Sequence, residues 1–149
     1  MSKQVKKFIP QSPNFEVRVC EVFKKQAVMQ TIGCKLVNIK PGSVELLLPF
    51  RPNLTQQNGF LHAGIISTAM DSACGFAALT LTSENQDVLA VEFKVNFLAP
   101  AYGKEFRIIG NVIKAGKTIT VSQAETYAAS EKGDKLVSQM TGTIFVANA

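Results

Sequence analysis

Two residue types able to move protons stand close together in this chain. His62 is its only histidine, and Asp71 is the only charged side chain between Arg51 and Glu84. The stretch around them runs Gln56-Gln-Asn-Gly-Phe-Leu-His-Ala-Gly-Ile-Ile-Ser-Thr-Ala-Met-Asp-Ser-Ala-Cys-Gly-Phe-Ala-Ala78. A carboxylate in so apolar a segment is costly to bury without a partner, so Asp71 needs either a structural hydrogen bond or a chemical role. Histidine and aspartate together suggest acid–base work, but the spacing forbids a dyad within one helix. At 100° per residue, positions 62 and 71 fall on opposite sides, roughly 13 Å apart along the axis. If both serve one site, a second chain supplies one of them.

The elements that must hold these residues follow from hydrophobic period. From His62 to about Leu79 the pattern is helical: Ile65, Ile66, Ala69, Met70, Ala73, Phe76 and Ala77 share one side, and Gly64, Ser67, Thr68, Asp71, Ser72 and Gly75 the other. The second face is small and polar yet carries a single charge. The spacing therefore predicts a helix buried all round, whose small face meets another chain or a ligand. Upstream, residues 1–13, punctuated by Pro10 and Pro13, read as a mobile tail, and Asn14 as the cap of a helix reaching about Gln30. Cys34–Lys40, the turn Pro41-Gly42, and alternating Val44, Leu46 and Leu48 predict a hairpin. Residues 50–59 form a polar loop. Downstream, Leu89, Val91, Phe93, Val95 and Phe97 alternate with Val88, Ala90, Glu92, Lys94 and Asn96. Further strands are expected over 105–114, 118–129 and 136–146, giving a four-stranded antiparallel meander after the helix. One sheet wrapped around one helix is the simplest way to bury that helix.

Composition narrows the function. The chain has 149 residues, 46% of them hydrophobic, and a net charge of +5, which suits a single domain with a real core. The basic residues are dispersed, without the dense or aromatic-interleaved runs of nucleic-acid binders. They fit a small anionic partner or simple solubility. Cys20, Cys34 and Cys74 are odd in number and far apart, so neither a disulfide framework nor a metal site is expected. No apolar run of signal-peptide or membrane-spanning length occurs, and a cytoplasmic location is the expectation.

The central stretch and the order of elements resemble hotdog-fold acyl-CoA thioesterases of the PaaI-like, phenylacetate-pathway type. That group carries a Gln or Asn, a short Gly-containing loop, His-Gly-Gly or His-Ala-Gly, and an acid nine positions after the His. The matching residues here are Gln56, Gly59, His62-Ala63-Gly64 and Asp71. Val91–Ala101 is similar to the family's long strand with its Pro-Ala ending, and Val112–Thr118 to the next strand and turn. The resemblance spans from about residue 30 to residue 147, and an ordered set of motifs is far more specific than any one of them. Three positions depart from the pattern. Ala63 stands where many members have Gly, Ala90 where some have a strand Ser or Thr, and Gly75 where one branch has Thr.

The resemblance implies an α+β hotdog domain over residues 1–149, an antiparallel sheet around a long central helix. It further implies an acyl-CoA thioesterase working as a homodimer or a dimer of dimers, with sites between subunits and coenzyme A present only as part of the substrate. No metal, cofactor, membrane or nucleic acid is implied. Asp71 would act as general base, or as nucleophile through an anhydride. The N–H groups of Ala63 and Gly64, at the positive end of the helix, would form the oxyanion hole. Gln56 and His62 would join Asp71 as catalytic residues, Gln56 orienting the thioester or the water and His62 fixing the loop and touching the carbonyl, and Asn58, Gly116 and Lys117 would bind substrate, Lys117 through the coenzyme A phosphates. The competing readings are a structurally bonded Asp71, a capping His62, a plain surface-loop Gln56 and a solvated Lys117. At the level of function, the alternative is a non-catalytic acyl-CoA-binding or regulatory hotdog protein. An enoyl-CoA hydratase is disfavoured because its Asp precedes its His.

Overall fold

The computed structural model describes residues 7–148. Its elements run α1 (Phe15–Lys25), α2 (Ala27–Ile32), β1 (Lys35–Lys40), β2 (Ser43–Pro49), a 3-10 turn (Pro52–Leu54), α3 (Ala63–Leu79), β3 (Gln86–Phe97), β4 (Glu105–Lys114), β5 (Ile119–Ala128) and β6 (Lys135–Asn148). All strands join one antiparallel sheet of order β1-β2-β4-β5-β6-β3. No helix among the described residues is long and apolar enough to cross a membrane.

The sheet wraps α3 as expected, but the strand order corrects the meander. β3 does not pair with β4, its successor. It lies at the far edge against β6, while β2 pairs with β4. The segment 98–104, with Pro100 in it, carries the chain from one edge strand across to the middle of the sheet. Alternation along a strand specifies its faces and says nothing about its neighbours.

Helix α3 lies on the inner face so closely that side chains would obstruct it. A Cβ on Gly110 of β4 would fall 2.3 Å from the Ala73 carbonyl oxygen, and one on Gly142 of β6 would touch Cys74. Around those contacts the core gathers Ile66, Met70 and Leu79 of α3, Val44, Leu46 and Leu48 of β2, and Phe106 and Ile108 of β4. Each fully buried side chain of this size contributes roughly 1.5–3 kcal/mol.

The first helical region is divided. Asn14 makes no side-chain cap; its Nδ2 donates to Glu84 instead. The helix ends at Lys25 and a new turn starts at Ala27, with Gln26 between them in an extended conformation (φ −79°, ψ 91°). Arg18 ties α1 to the end of α3, donating to Thr82 Oγ1 and the carbonyls of Ser83 and Gln86. Of the expected mobile tail, residues 1–6 lie outside the described residues. From Lys7 onward the segment follows the domain surface. Phe8 packs on the core beside Gly42, whose φ of +76° and lack of a side chain leave room for the ring. Ser12 is 1% exposed and donates to Glu84 Oε1 at 3.1 Å.

β3 also departs from a strict period of two. Its register against β6 shifts between Ala90 and Glu92, so Val91 occupies a bulge. Val88 and Ala90 before it, and Phe93, Val95 and Phe97 after it, pair with the inward-facing row Val146, Ile144, Gly142, Met140 and Ser138 of β6. Leu89, expected on the same face as Phe93, lies on the outer face opposite Phe145.

Candidate active site

The polar loop before α3 folds back on itself. Gln56 donates its N–H to the Phe60 carbonyl, its side-chain Oε1 accepts the Asn58 N–H, and Thr55 and Leu61 form a bridge. The His62 N–H then donates to the Leu54 carbonyl at 3.0 Å, fixing the chain as the helix begins. His62 is the N-cap residue. Its Nδ1 accepts the Gly64 N–H at 2.9 Å, and its carbonyl accepts from Ile65 and Ile66. The ring is therefore held as an acceptor at Nδ1, in the service of the helix. Of the two amides expected to form an oxyanion hole, Gly64's is committed to His62. Among the described residues, Ala63's N–H has no partner.

Ala63 and Gln56 line one cavity of about 420 Å³, walled by Phe60, Ile66 and the segment Phe97–Ala101. His62 and Asn58 do not line it. The Gln56 Nε2 has no partner among the described residues and can donate.

Asp71 lies two and a half turns further along α3, half-buried, in a separate cavity of about 160 Å³. The walls are Val22 and Gln26 from the α1–α2 junction, Ser72, Phe76 and Leu79 from α3, and Asp87–Ala90 from β3. Among the described residues, no hydrogen bond or ion pair reaches its carboxylate. The structurally bonded reading of Asp71 therefore finds no support within one chain. Burial raises its pKa above the ordinary carboxylate value. Cys74, one turn on, is 1% exposed, and burial together with the Asp71 charge pushes its thiol up to about 12, too high for a nucleophile at neutral pH. Ala90 reaches the Asp71 cavity and brings no hydroxyl; Gly75 lines it too.

One chain thus keeps the two groups of residues apart. The Gln56–Ala63 cavity uses Phe97 at the end of β3, and the Asp71 cavity uses the beginning of the same strand. Gly116 and Lys117 line neither cavity. Their turn meets β6 where the Val146 N–H donates to Thr118, and Val146 pairs with Val88 in the first half of β3. Among the described residues, no cluster of three His, Cys, Asp or Glu is placed to hold a metal ion.

The outer side of β3 is a free sheet edge on which large exposed apolar residues alternate with Asp87, Glu92 and Lys94. Leu89 and Val91 are 60% and 59% exposed, and Phe93 and Phe97, although on the inner face, are 43% and 46% exposed. A long edge of this kind is an open template for another strand.

The family model of the thioesterase superfamily matches residues 58–134, which include His62, Asp71 and the whole of β3. The chain belongs to the thioesterase superfamily. A thioesterase family protein of Silicibacter pomeroyi, known from its crystal structure, is 45% identical with a TM-score of 0.89, the match covering 91% of this chain and 99% of that one. Human acyl-coenzyme A thioesterase 13 is 26% identical over 114 residues, 76% of this chain and 79% of that protein. The E. coli PaaI protein from the phenylacetic acid degradation operon shares the fold, with a TM-score of 0.78 at 16% identity over 89% of this chain and 92% of that one. The sheet around α3 is thus a hotdog fold, and the protein is a thioester hydrolase. Sequence reasoning missed one wall of the Asp71 cavity, Gln26, because it sits inside what reads as one continuous helix.

Proposed function

We propose that this thioesterase hydrolyses an acyl-CoA at a composite site, with Asp71 from one chain and the Ala63 N–H and Gln56 from a second. The observation that carries this is the placement of the two cavities at opposite ends of β3, an edge strand with an apolar free side. From Val88 to Phe97 the strand spans about 30 Å. If two copies join β3 to β3 antiparallel across a two-fold axis, the Phe97 end of each comes beside the Asp87–Ala90 end of the other. Both cavities are then completed twice, once at each end. The same pairing covers the apolar edge.

In that site the thioester carbonyl rests on the Ala63 N–H at the positive end of α3, and Gln56 Nε2 donates to the thioester or the water. Asp71 takes a proton from a water that attacks the carbonyl carbon. The tetrahedral intermediate collapses with cleavage of the C–S bond, and the proton held on Asp71 passes to the departing sulfur, so that coenzyme A leaves as the thiol and the base is regenerated. Direct attack by the Asp71 carboxylate is the alternative route. Single turnover in labelled water separates the two, because an anhydride intermediate leaves label in the protein. No metal or further cofactor is invoked. Lys117, whose turn meets the part of β6 that pairs with the first half of β3, would meet the coenzyme A phosphates. On the outer face, Leu89, Phe145 and Ile119 are exposed and adjacent by register, which supports a dimer of such dimers.

Subunit complementation tests the composite site. Asp71→Asn and Ala63→Pro each remove one half; proline is tolerated at the first helical position and deletes only that N–H. Each variant alone is expected to be inactive. Mixed after unfolding and refolding, they are expected to regain roughly a quarter of the wild-type rate, from heterodimers with one intact site. No recovery from two folded, dimeric variants would sink the shared site.

A further inference from the structure

Gln26 caps two helices at once: its N–H donates to the Val22 and Phe23 carbonyls that end α1, and its own carbonyl accepts the Met29 N–H of α2. It interrupts the first helical region, adopting an extended conformation between α1 and α2. Its side chain turns into the Asp71 cavity, where Oε1 accepts the hydroxyl of Ser72 at 2.8 Å. Ser72 is 7% exposed and neighbours Asp71 on α3, so the amide is anchored at its oxygen. Its Nε2 has no partner among the described residues. Of the side chains lining that cavity, Ser72 has spent its hydroxyl proton, and the rest are apolar, small or acidic. The Asp87 carboxylate is turned back onto the Val88 N–H. Gln26 Nε2 is therefore the one uncommitted side-chain donor in a cavity walled by Val22, Phe76, Leu79, Val88 and Ala90.

We infer that Gln26 is a specificity-determining residue, selecting acyl groups that carry a hydrogen-bond acceptor a few carbons from the thioester. This rests on the acyl-CoA hydrolase reading and assigns its substrate class. On this chain's side the acyl group meets a half-open cavity of about 160 Å³, and the second chain supplies the rest of its wall. The amide sets the polarity. With its oxygen held by Ser72, the half-buried amide can only donate; with the cavity closed by the second chain, an oxo or ether oxygen satisfies it and a plain hydrocarbon leaves it unpaired. A site that buries a donor discriminates against an analogue lacking the acceptor far more strongly than an apolar pocket rejects a methylene. The ring pair Phe23–Phe76, with centroids 5.8 Å apart, backs the cavity and keeps the junction in place.

The test compares hexanoyl-CoA with 3-, 4- and 5-oxohexanoyl-CoA by thiol release, for wild type, Gln26→Met and Ser72→Ala. Ratios between proteins cancel the intrinsic reactivity of each thioester. Wild type is expected to favour at least one oxo substrate by about 10-fold or more in kcat/KM. Gln26→Met, similar in shape but without the donor, is expected to lose that preference through a lower oxo rate and a higher hexanoyl rate, and an unchanged circular dichroism spectrum shows that it folds. Ser72→Ala frees the amide and is expected to weaken the preference while leaving the residue in place. Turnover by wild type without a preference, or a preference retained by Gln26→Met, overturns the inference and leaves the hydrolase reading intact. Failure of wild type to cleave any acyl-CoA in a wider panel overturns both.

Discussion

His62 and Gly64 are closed on each other at the start of α3: the imidazole Nδ1 accepts the Gly64 N–H at 2.9 Å, and a Cβ on Gly64 would lie 3.1 Å from that nitrogen. The histidine of the family motif is, in this chain, the cap of the helix that aims Ala63. His62→Asn, which preserves an acceptor at the cap, should keep most of the wild-type rate and stability. His62→Ala should lose about 1 kcal/mol in denaturant unfolding. A loss of rate in His62→Asn as deep as in Asp71→Asn would give the imidazole a chemical role instead.

On the proposed mechanism Asp71 is the base, and the same residue should cost stability. Asp71→Asn is expected to lower kcat by about 10²–10⁴-fold. The same change should raise the melting temperature at neutral pH, because it removes an ionised group that burial disfavours and no partner compensates. Paired melting curves and thiol-release assays test both effects together.

The pH dependence follows from the same residue. Asp71 has a folded pKa above its ordinary carboxylate value, so the folded state holds its proton more tightly than the unfolded one. The destabilisation it causes is full above the folded pKa and fades as pH falls through that value, so the stability gain of Asp71→Asn should shrink on acidification. The base must be ionised to act. Activity should therefore fall on an acid limb centred above the ordinary Asp range of about 4. A kcat/KM profile flat down to pH ~4 would count against Asp71 as the base.

The β3 edge should be separable from the fold. Phe93→Glu places a charge on the inner face of that edge strand, at a side chain that is 43% exposed in one chain. It should leave circular dichroism unchanged, yield a smaller species on size exclusion, and remove activity with the lost mass. A monomer with full rate would contradict the two-chain site.

Gly110 limits how close α3 can lie to the sheet. Gly110→Ala would put a Cβ 2.3 Å from the Ala73 carbonyl oxygen. Backbone must shift to relieve it, at about 1–3 kcal/mol. A lower midpoint in urea at unchanged slope measures that cost.

The parts legible in the sequence are those with strong period. Helix α3 appears from Ala63 to Leu79, and β4 from Glu105 to Lys114, as their patterns indicate. The motif residues did not require a fold to be noticed, since a lone acid in an apolar run stands out chemically. The failures have a common origin in contacts distant along the chain. Nothing in the alternation of β3 indicates that its partner is β6. The bulge residue Val91 is as apolar as its neighbours, so the extra residue leaves the pattern looking unbroken. The division at Gln26 coincides with a hydrogen bond from Ser72, 46 positions away, which the local pattern does not reveal. The engagement of Gly64 by His62 is local, yet it depends on a rotamer that composition does not encode.

The bulge at Val91 bears on how relatives should be aligned and engineered. Val88 and Ala90 wall one cavity, Phe97 the other, and an even and an odd position share a face only because one residue is inserted between them. Deleting a single residue there would leave the strand's length and composition almost untouched while turning the Leu89 row inward or the Lys94 row inward. A gap placed at this point between two thioesterases is therefore a change of lining, and a chimaera that joins two family members within β3 should cross over on one side of Val91 or the other, keeping the inserted residue.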